Sequence, residues 1–178
     1  MKLVTEKLAV AEYFYPFAEQ NNPKLYSYID SLPHDSDHPG VVRAKMTRRN
    51  LNQHKEMRNL LGWIKKVLVV DFGEWQKGYW NMPPDIECKE MWGVIMEKGD
   101  EIIPHAHAPF LFSFSYYVTA PKGSSPLVFT NSGYKIKAEP GKLVIFESRL
   151  AHHVSKDKVG NRCLIAGAFS GMTPQYVN

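Results

Sequence analysis

The chain has 178 residues, of which 44% are hydrophobic and 22% charged, a composition typical of one globular domain with a sizeable core. No apolar run reaches the roughly 18 residues of a membrane-spanning helix, and Glu6 precedes any apolar stretch, so we expect neither a membrane span nor a secretory signal. The net charge of +4 is mild. It fits a preference for anionic ligands and makes a nucleic-acid partner an unfavoured interpretation. Two cysteines, Cys88 and Cys163, do not support a disulfide framework, so we expect a reducing, cytoplasmic location.

The first half of the chain reads as helices and loops. An aromatic segment at 13–17 is expected to pack on the core. Pro23 predicts the first residue of a helix, with Asn22 as its N-cap, that ends before Ser31. Residues 33–50 are rich in turn formers and are interpreted as loop. Residues 52–70 predict a second helix, because apolar side chains recur at helical spacing: Met57, Leu60, Leu61, Ile64, Val67 and Leu68.

The second half predicts short strands separated by turns. The expected strands are 91–96, 102–107, 110–118, 127–129, 133–137, 142–146 and 163–169. In the long strand 110–118, alternation places three phenylalanines on one face and Leu111, Ser113, Ser115 and Tyr117 on the other; the phenylalanines are Phe110, Phe112 and Phe114. The pattern favours a mainly β fold with N-terminal helices (α+β), a sandwich or jelly roll. We predict one domain, 1–178, in which residues 1–88 pack on a β core at 89–170.

The segment His105-Ala106-His107 carries the clearest chemical signal. Residues two apart in a strand share a face, so both imidazoles can reach one point. His152 follows a later apolar strand and could supply a third nitrogen. Its neighbour His153 would point the opposite way, so only one of that pair can be a ligand. Three imidazoles suit iron, zinc, copper or nickel; the alternative is that His105 and His107 are ordinary loop histidines.

Arg162 opens the last apolar strand and would be costly to bury without an anionic partner. It could reach solvent at a strand edge, pair with nearby Asp157, or grip a carboxylate through two parallel hydrogen bonds. Tyr117 needs a partner for its hydroxyl if it is buried, and it could help to hold the same carboxylate. The alternative is a core tyrosine with its tip at the surface.

In order and spacing, these residues resemble the 2-oxoglutarate- and Fe(II)-dependent oxygenases, specifically the prolyl-hydroxylase-related type of marine bacteria and their phages. The resemblance covers roughly residues 90–170. It rests on Trp92, Gly99, His105-Ala106-His107, Ser113-Phe114-Ser115-Tyr116-Tyr117-Val118, Gly141-Lys142-Leu143-Val144-Ile145-Phe146, His152-His153-Val154 and Arg162.

The resemblance implies a double-stranded β-helix (jelly roll, cupin-like) and a hydroxylase that uses Fe(II), 2-oxoglutarate and O2. Such an enzyme couples oxidative decarboxylation of 2-oxoglutarate to oxidation of a substrate C–H bond. His105 and His152 match iron ligands, and Arg162 and Tyr117 match residues that hold the distal carboxylate of 2-oxoglutarate. His107 stands where the wider superfamily has a carboxylate. We include His107 among the metal ligands, with Glu147 as an alternative source of a carboxylate.

Two other functions remain open. A cupin-type metal dioxygenase or isomerase would share His-x-His without using 2-oxoglutarate, but it usually adds a Glu a few residues later, and 108–112 offers none. A non-catalytic jelly-roll binding protein would bind neither metal nor 2-oxoglutarate. The prime substrate, peptidyl or small molecule, is not defined. Trp75, Trp80 and the basic stretch 43–49 are suggested as its walls, although a solvated surface is the favoured interpretation of those charges.

Overall fold

The computed structural model describes residues 9–34, 40–72 and 86–171, so Trp75 and Trp80 lie outside the described residues. Within these ranges the chain forms two α-helices and eleven strands. The helices are α1 (Ala18–Ser31) and α2 (Arg58–Val67). The strands are β1 (Val10–Phe14), β2 (Val42–Arg43), β3 (Lys45–Met46), β4 (Ile86–Met96), β5 (Glu101–His105), β6 (Phe112–Thr119), β7 (Leu127–Phe129), β8 (Lys135–Ile136), β9 (Lys142–Glu147), β10 (His152–Val154) and β11 (Arg162–Gly171).

The strands form two antiparallel sheets. The larger has the order β1-β9-β6-β11-β4-β3, and the smaller has the order β2-β5-β10-β7-β8. The architecture is therefore mainly β and consistent with a jelly roll, as predicted. Among the described helices, none has the length and apolar character needed to cross a bilayer.

Strand alternation divides the core into two layers. On β4, Met91 and Ile95 face the helices, whereas Trp92, Val94 and Met96 face the smaller sheet. Strand β6 follows the same rule, with Phe112 and Phe114 in the helix-side layer and Tyr117 in the layer between the sheets. The predicted faces are therefore confirmed within β6, but Leu111 precedes the strand and packs with the helix-side layer, not with Tyr117.

Helix α1 begins earlier than predicted. It starts at Ala18, so Pro23 lies inside the helix and Asn22 is not its N-cap; the predicted end at Ser31 is confirmed to within one residue. Asn22 is buried, its amide donates to the carbonyl of Val118, and its Oδ1 accepts from the hydroxyl of Tyr116. The amide of Asn22 thus finds its hydrogen-bond partners on β6 and not in the first turn of a helix, which is why the N-cap prediction is wrong.

Gly93 allows α1 to lie close against the larger sheet. A Cβ atom at this position would come 2.7 Å from Cγ2 of Ile29, closer than real carbon contacts allow. Ile29 itself has no exposed surface. The absence of a side chain at Gly93 therefore sets the spacing between α1 and β4.

The second predicted helix is shorter than expected, but its apolar face is confirmed. The α-helical part is α2, preceded by 3₁₀ turns at Leu51–Gln53 and Lys55–Met57 and followed by a π-helical turn at Leu68–Phe72. Residues 33–50, interpreted as loop, include β2 and β3. These two-residue strands are too short to produce an alternating pattern.

Candidate metal centre

The three predicted histidines meet at one end of the space between the sheets. His105 is the last residue of β5 and lies directly opposite His152, the first residue of β10. His107 lies two residues beyond β5, where its backbone N–H donates to the carbonyl of Ser148 at 2.8 Å. The possible ligand atoms of the three rings all lie within 4.8 Å of one another. Such a group can hold one metal ion on a single face.

Hydrogen bonds to backbone carbonyls orient two of these rings. Nδ1 of His105 lies 2.9 Å from the carbonyl oxygen of Ile103, and Nδ1 of His152 lies 2.8 Å from that of Leu150. A carbonyl oxygen only accepts, so each Nδ1 carries the hydrogen. The lone pair of each ring is then on Nε2, which is the state required of a metal ligand.

Burial also favours the neutral form of all three imidazoles. It lowers the pKa of His107 to about 3, with further lowering from the neighbouring His152 and His105. Burial likewise lowers the pKa of His152 to about 4, and it lowers the pKa of His105. At neutral pH the site therefore presents uncharged nitrogen donors rather than imidazolium cations.

Arg162 lies on the larger sheet at the start of β11, facing the same cavity. It is 0% exposed, so the alternative of a strand-edge Arg reaching solvent is wrong. Its Nη1 donates to the carbonyl of Ser125 at 2.7 Å and lies 3.8 Å from Oδ2 of Asp157. Its Nε and Nη2 are buried without a hydrogen-bond partner among the described residues. These two nitrogens form the edge of the guanidinium that matches the two oxygens of a carboxylate.

Tyr117 contacts this guanidinium. Cζ of Arg162 lies 5.2 Å from the centre of its ring, and the ring is fully buried. Its hydroxyl is buried, so the alternative of a tip at the surface is wrong, and it forms no hydrogen bond of good geometry among the described residues. The side chains of Ser115 and Arg162 nevertheless lie close enough to help lower its pKa. Burial raises the pKa of Tyr117, and the charge of Arg162 only partly opposes this, so the hydroxyl remains a donor at neutral pH.

One narrow cavity joins the histidines to Arg162. Its empty space, counted out to the open mouth, is about 460 Å³. The space in which the centre of a water molecule fits is much smaller, about 40 Å³. All three histidines and Arg162 line it, together with Trp92, Ser115 and apolar side chains from both sheets. Tyr117 lies against Arg162, not in the cavity wall itself.

The structure does not bring the alternative carboxylate to the histidines. Oε2 of Glu147 accepts from Nε of Arg149 at 2.6 Å, and the metal-binding group found within the described ranges consists of the three histidines. His153 lies on the other side of β10, with Nδ1 3.0 Å from Oγ1 of Thr130. The suggested wall residues Trp75 and Trp80 lie outside the described residues.

The basic side chains of the stretch 43–49 are exposed, in line with the favoured interpretation of a solvated surface. Arg43 pairs with Glu101, and Arg49 pairs with Glu90. Arg49 nevertheless approaches the site, because its Cζ lies 4.7 Å from the ring centre of Trp92, and that ring lies 5.5 Å from the ring of His107. Trp92 was predicted as a strand residue and is one of the residues that carry the resemblance, but no local pattern marks its contact with His107.

The chain has the fold of solved 2-oxoglutarate- and Fe(II)-dependent oxygenases, which confirms the predicted resemblance. It is similar to the viral collagen prolyl hydroxylase vCPH of Paramecium Bursaria Chlorella virus-1 in its 2OG complex, with a TM-score of 0.66, 14% identity, and coverage of 90% of this chain and 94% of that one. It is also similar to a prolyl-4-hydroxylase of Pseudomonas putida, with a TM-score of 0.66, 16% identity and coverage of 92% and 93%.

A third similar structure is HygX of Streptomyces hygroscopicus with nickel and 2-oxoglutarate bound. Its TM-score is 0.67 at 12% identity, with coverage of 93% of this chain and 84% of that one. No family model matches this chain, and no curated protein sequence matches it. At these identities the likeness establishes the fold, and the function must be argued from the site.

Proposed function

We propose that this protein is a non-haem Fe(II)- and 2-oxoglutarate-dependent oxygenase, a hydroxylase of a peptidyl or small-molecule C–H bond, built on a double-stranded β-helix. The observation that carries the proposal is the unpartnered edge of Arg162. A fully buried guanidinium, which lines the same cavity as three neutral histidines, has two nitrogens, Nε and Nη2, without a hydrogen-bond partner among the described residues. A buried cation with free donors is costly unless an anion binds to it.

The residues present fit both a divalent metal and 2-oxoglutarate. His105, His107 and His152 would hold the metal through ring nitrogens, two of which are already oriented by backbone carbonyls. Arg162 would bind the distal carboxylate of 2-oxoglutarate through Nε and Nη2, assisted by the hydroxyl of Tyr117. A metal and a carboxylate anchor in one cavity match the two ends of a 2-oxo dicarboxylic acid.

When bound, Fe(II) together with 2-oxoglutarate and O2 supplies the oxidising power for the C–H bond, and 2-oxoglutarate is converted to succinate and CO2. The protein's part is orientation and exclusion of water. The histidines fix one face of the metal, and Arg162 fixes the far end of the co-substrate. Apolar side chains such as Val94, Leu164 and Phe146 complete the wall and keep the reacting atoms dry.

Arg162 also distinguishes this function from a cupin-type enzyme that does not use 2-oxoglutarate. Such an enzyme needs the histidines but has no use for a buried guanidinium whose Nε and Nη2 have no hydrogen-bond partner among the described residues. The thiols of Cys88 and Cys163 are free, which agrees with the proposed cytoplasmic location.

The test is anaerobic addition of Fe(II) and then 2-oxoglutarate to metal-free protein. We expect a visible metal-to-ligand charge-transfer band, and succinate formation once O2 is admitted. Arg162→Ala should weaken the band at fixed 2-oxoglutarate, whereas Arg43→Ala, which removes an exposed arginine, should not. Metal binding without a band would favour the cupin-type enzyme, and protein that binds no metal would favour a non-catalytic binding protein.

A further inference from the structure

The guanidinium of Arg162 is held from the side opposite its free edge. Nη1 donates to the carbonyl of Ser125, and Oδ2 of Asp157 lies 3.8 Å from the same nitrogen. The backbone N–H of Ser125 donates to that Oδ2 at 3.1 Å. Ser125, Asp157 and Arg162 therefore form a closed ring of polar contacts, and all three residues are buried.

Asp157 is itself fixed by the loops around it. Its Oδ1 accepts from the backbone N–H groups of Val159 and Gly160, both at 3.0 Å. Its own N–H donates to the carbonyl of Asp100, and its carbonyl accepts from Gly99. Both carboxylate oxygens thus accept hydrogen bonds, so the charge beside Nη1 has a fixed position.

From this arrangement we infer that Asp157 is a positioning residue, which locks Nη1 of Arg162 and thereby presents the Nε–Nη2 edge to the carboxylate of the co-substrate. Asp157 does not touch the cavity, so it acts only through Arg162. The inference rests on the proposed role of Arg162 as the carboxylate anchor. The sequence offers Asp157 as a possible partner of Arg162, but it does not mark the link through Ser125, because Ser125 and Asp157 lie 32 residues apart.

The variant Asp157→Asn tests the ring because an amide cannot replace this carboxylate. One of its two terminal atoms would be an NH2 group, which would face either the N–H of Ser125 or the N–H groups of Val159 and Gly160. In the first case the ring would open at Ser125, and in the second case the side chain at position 157 would lose the loop contacts that fix it. We expect the Kd of nickel-loaded protein for 2-oxoglutarate to rise about 10- to 100-fold, the value of one hydrogen bond to a charged group.

The direction in which the Kd for 2-oxoglutarate changes shows whether Asp157 positions Arg162 or only neutralises its charge. If Asp157 only neutralised Arg162, its removal would make the cavity more positive and would tighten binding of the dianion. An unchanged or lower Kd therefore overturns the inference. The matched control is Asp100→Asn, which makes the same charge change in the adjoining turn, where the carboxylate faces the N–H of Glu97. Its Kd for 2-oxoglutarate should stay at the wild-type value, and nickel affinity should be unchanged in both variants.

A second measurement needs neither a variant at Asp157 nor 2-oxoglutarate. Side-chain ¹⁵N NMR of the full-length protein, with Arg162→Lys to assign the signal, reports rotation of the guanidinium. We expect Arg162 to show separate, slowly exchanging Nη signals. A freely rotating guanidinium would overturn the inference even if 2-oxoglutarate binds. A fixed guanidinium in a protein that does not bind 2-oxoglutarate would instead refute the proposed function.

Discussion

The two ends of the cavity differ in charge and in how their side chains are held in place. At the histidine end, two of the neutral rings are oriented by backbone carbonyls only two residues before them in the sequence. At the arginine end, a permanent charge is buried and is held by nearby Asp157 together with Ser125, which lies 37 residues before Arg162 in the sequence. The first end is built from local geometry and the second from tertiary contacts. Substitutions at the histidine end should therefore affect the metal, and those at the arginine end should affect the co-substrate.

The largest effect is expected at the histidine end from His152→Ala, compared with His153→Ala. Loss of His152 should weaken nickel binding at least about 100-fold, because removal of a partner outside the ligand set already costs roughly 10- to 100-fold. His153 lies on the outer side of β10, so its removal should leave nickel affinity unchanged. Metal competition titrations measure both. Equal losses in the two variants would mean that the metal is not held between β5 and β10.

At the arginine end, Arg162→Lys keeps the charge and removes the two-pronged edge. We expect the Kd for 2-oxoglutarate to rise by about tenfold or more, since a lysine cannot form the paired hydrogen bonds that a carboxylate accepts. Calorimetric titration of nickel-loaded protein measures the change. Nickel affinity serves as the internal control and should not change. A lysine variant that binds 2-oxoglutarate as well as wild type would show that charge alone is sufficient at this end.

His107→Asp would add a negative charge to the three-histidine site, at the position where the wider superfamily has a carboxylate. We expect Mn(II) to bind roughly tenfold more tightly, because the attraction of a carboxylate for the dication is mostly offset by the cost of burying that carboxylate. His107→Asn, of similar size but neutral, is the matched control and should show no gain. Metal titrations of the two variants would refute this account if Asp and Asn behaved alike.

The smallest effects concern two adjacent tyrosines on β6. Tyr117→Phe removes a hydroxyl that has no protein partner among the described residues, so the free energy of unfolding without ligand should not fall. Tyr116→Phe removes a buried hydroxyl that donates to Asn22 and should destabilise the protein by about 1 kcal/mol. For 2-oxoglutarate affinity the order of the two variants reverses. The Kd should rise a few-fold in Tyr117→Phe and should not change in Tyr116→Phe. Denaturant melts and calorimetry measure both, and a destabilised Tyr117→Phe protein would show that its hydroxyl has a structural partner.

The same division explains what could be predicted from the sequence. The grouping of His105, His107 and His152 was predicted from strand alternation, although His107 lies beyond the end of β5 and is held by its backbone bond to Ser148. The faces of β6 and the apolar face of α2 follow from periodicity. The start of α1 could not be predicted, because the tertiary hydrogen bonds of Asn22 outweigh its preference for a helix cap. Nor could the contacts of Arg162, because a charged residue at the start of a strand looks the same in sequence whether its partner is solvent, Asp157 or a ligand.

The pairing of β5 with β10 also has a consequence for folding. His152 and His153 are consecutive, and a shift of one residue in strand register exchanges the inner and outer faces. A slipped β10 would turn His153 inward and would still offer an imidazole to the cavity. It would also expose Val154, which is buried opposite Ile102 in the native register. Burial of Val154 therefore favours the register that places His152, not His153, in the cavity. This preference does not depend on a bound metal.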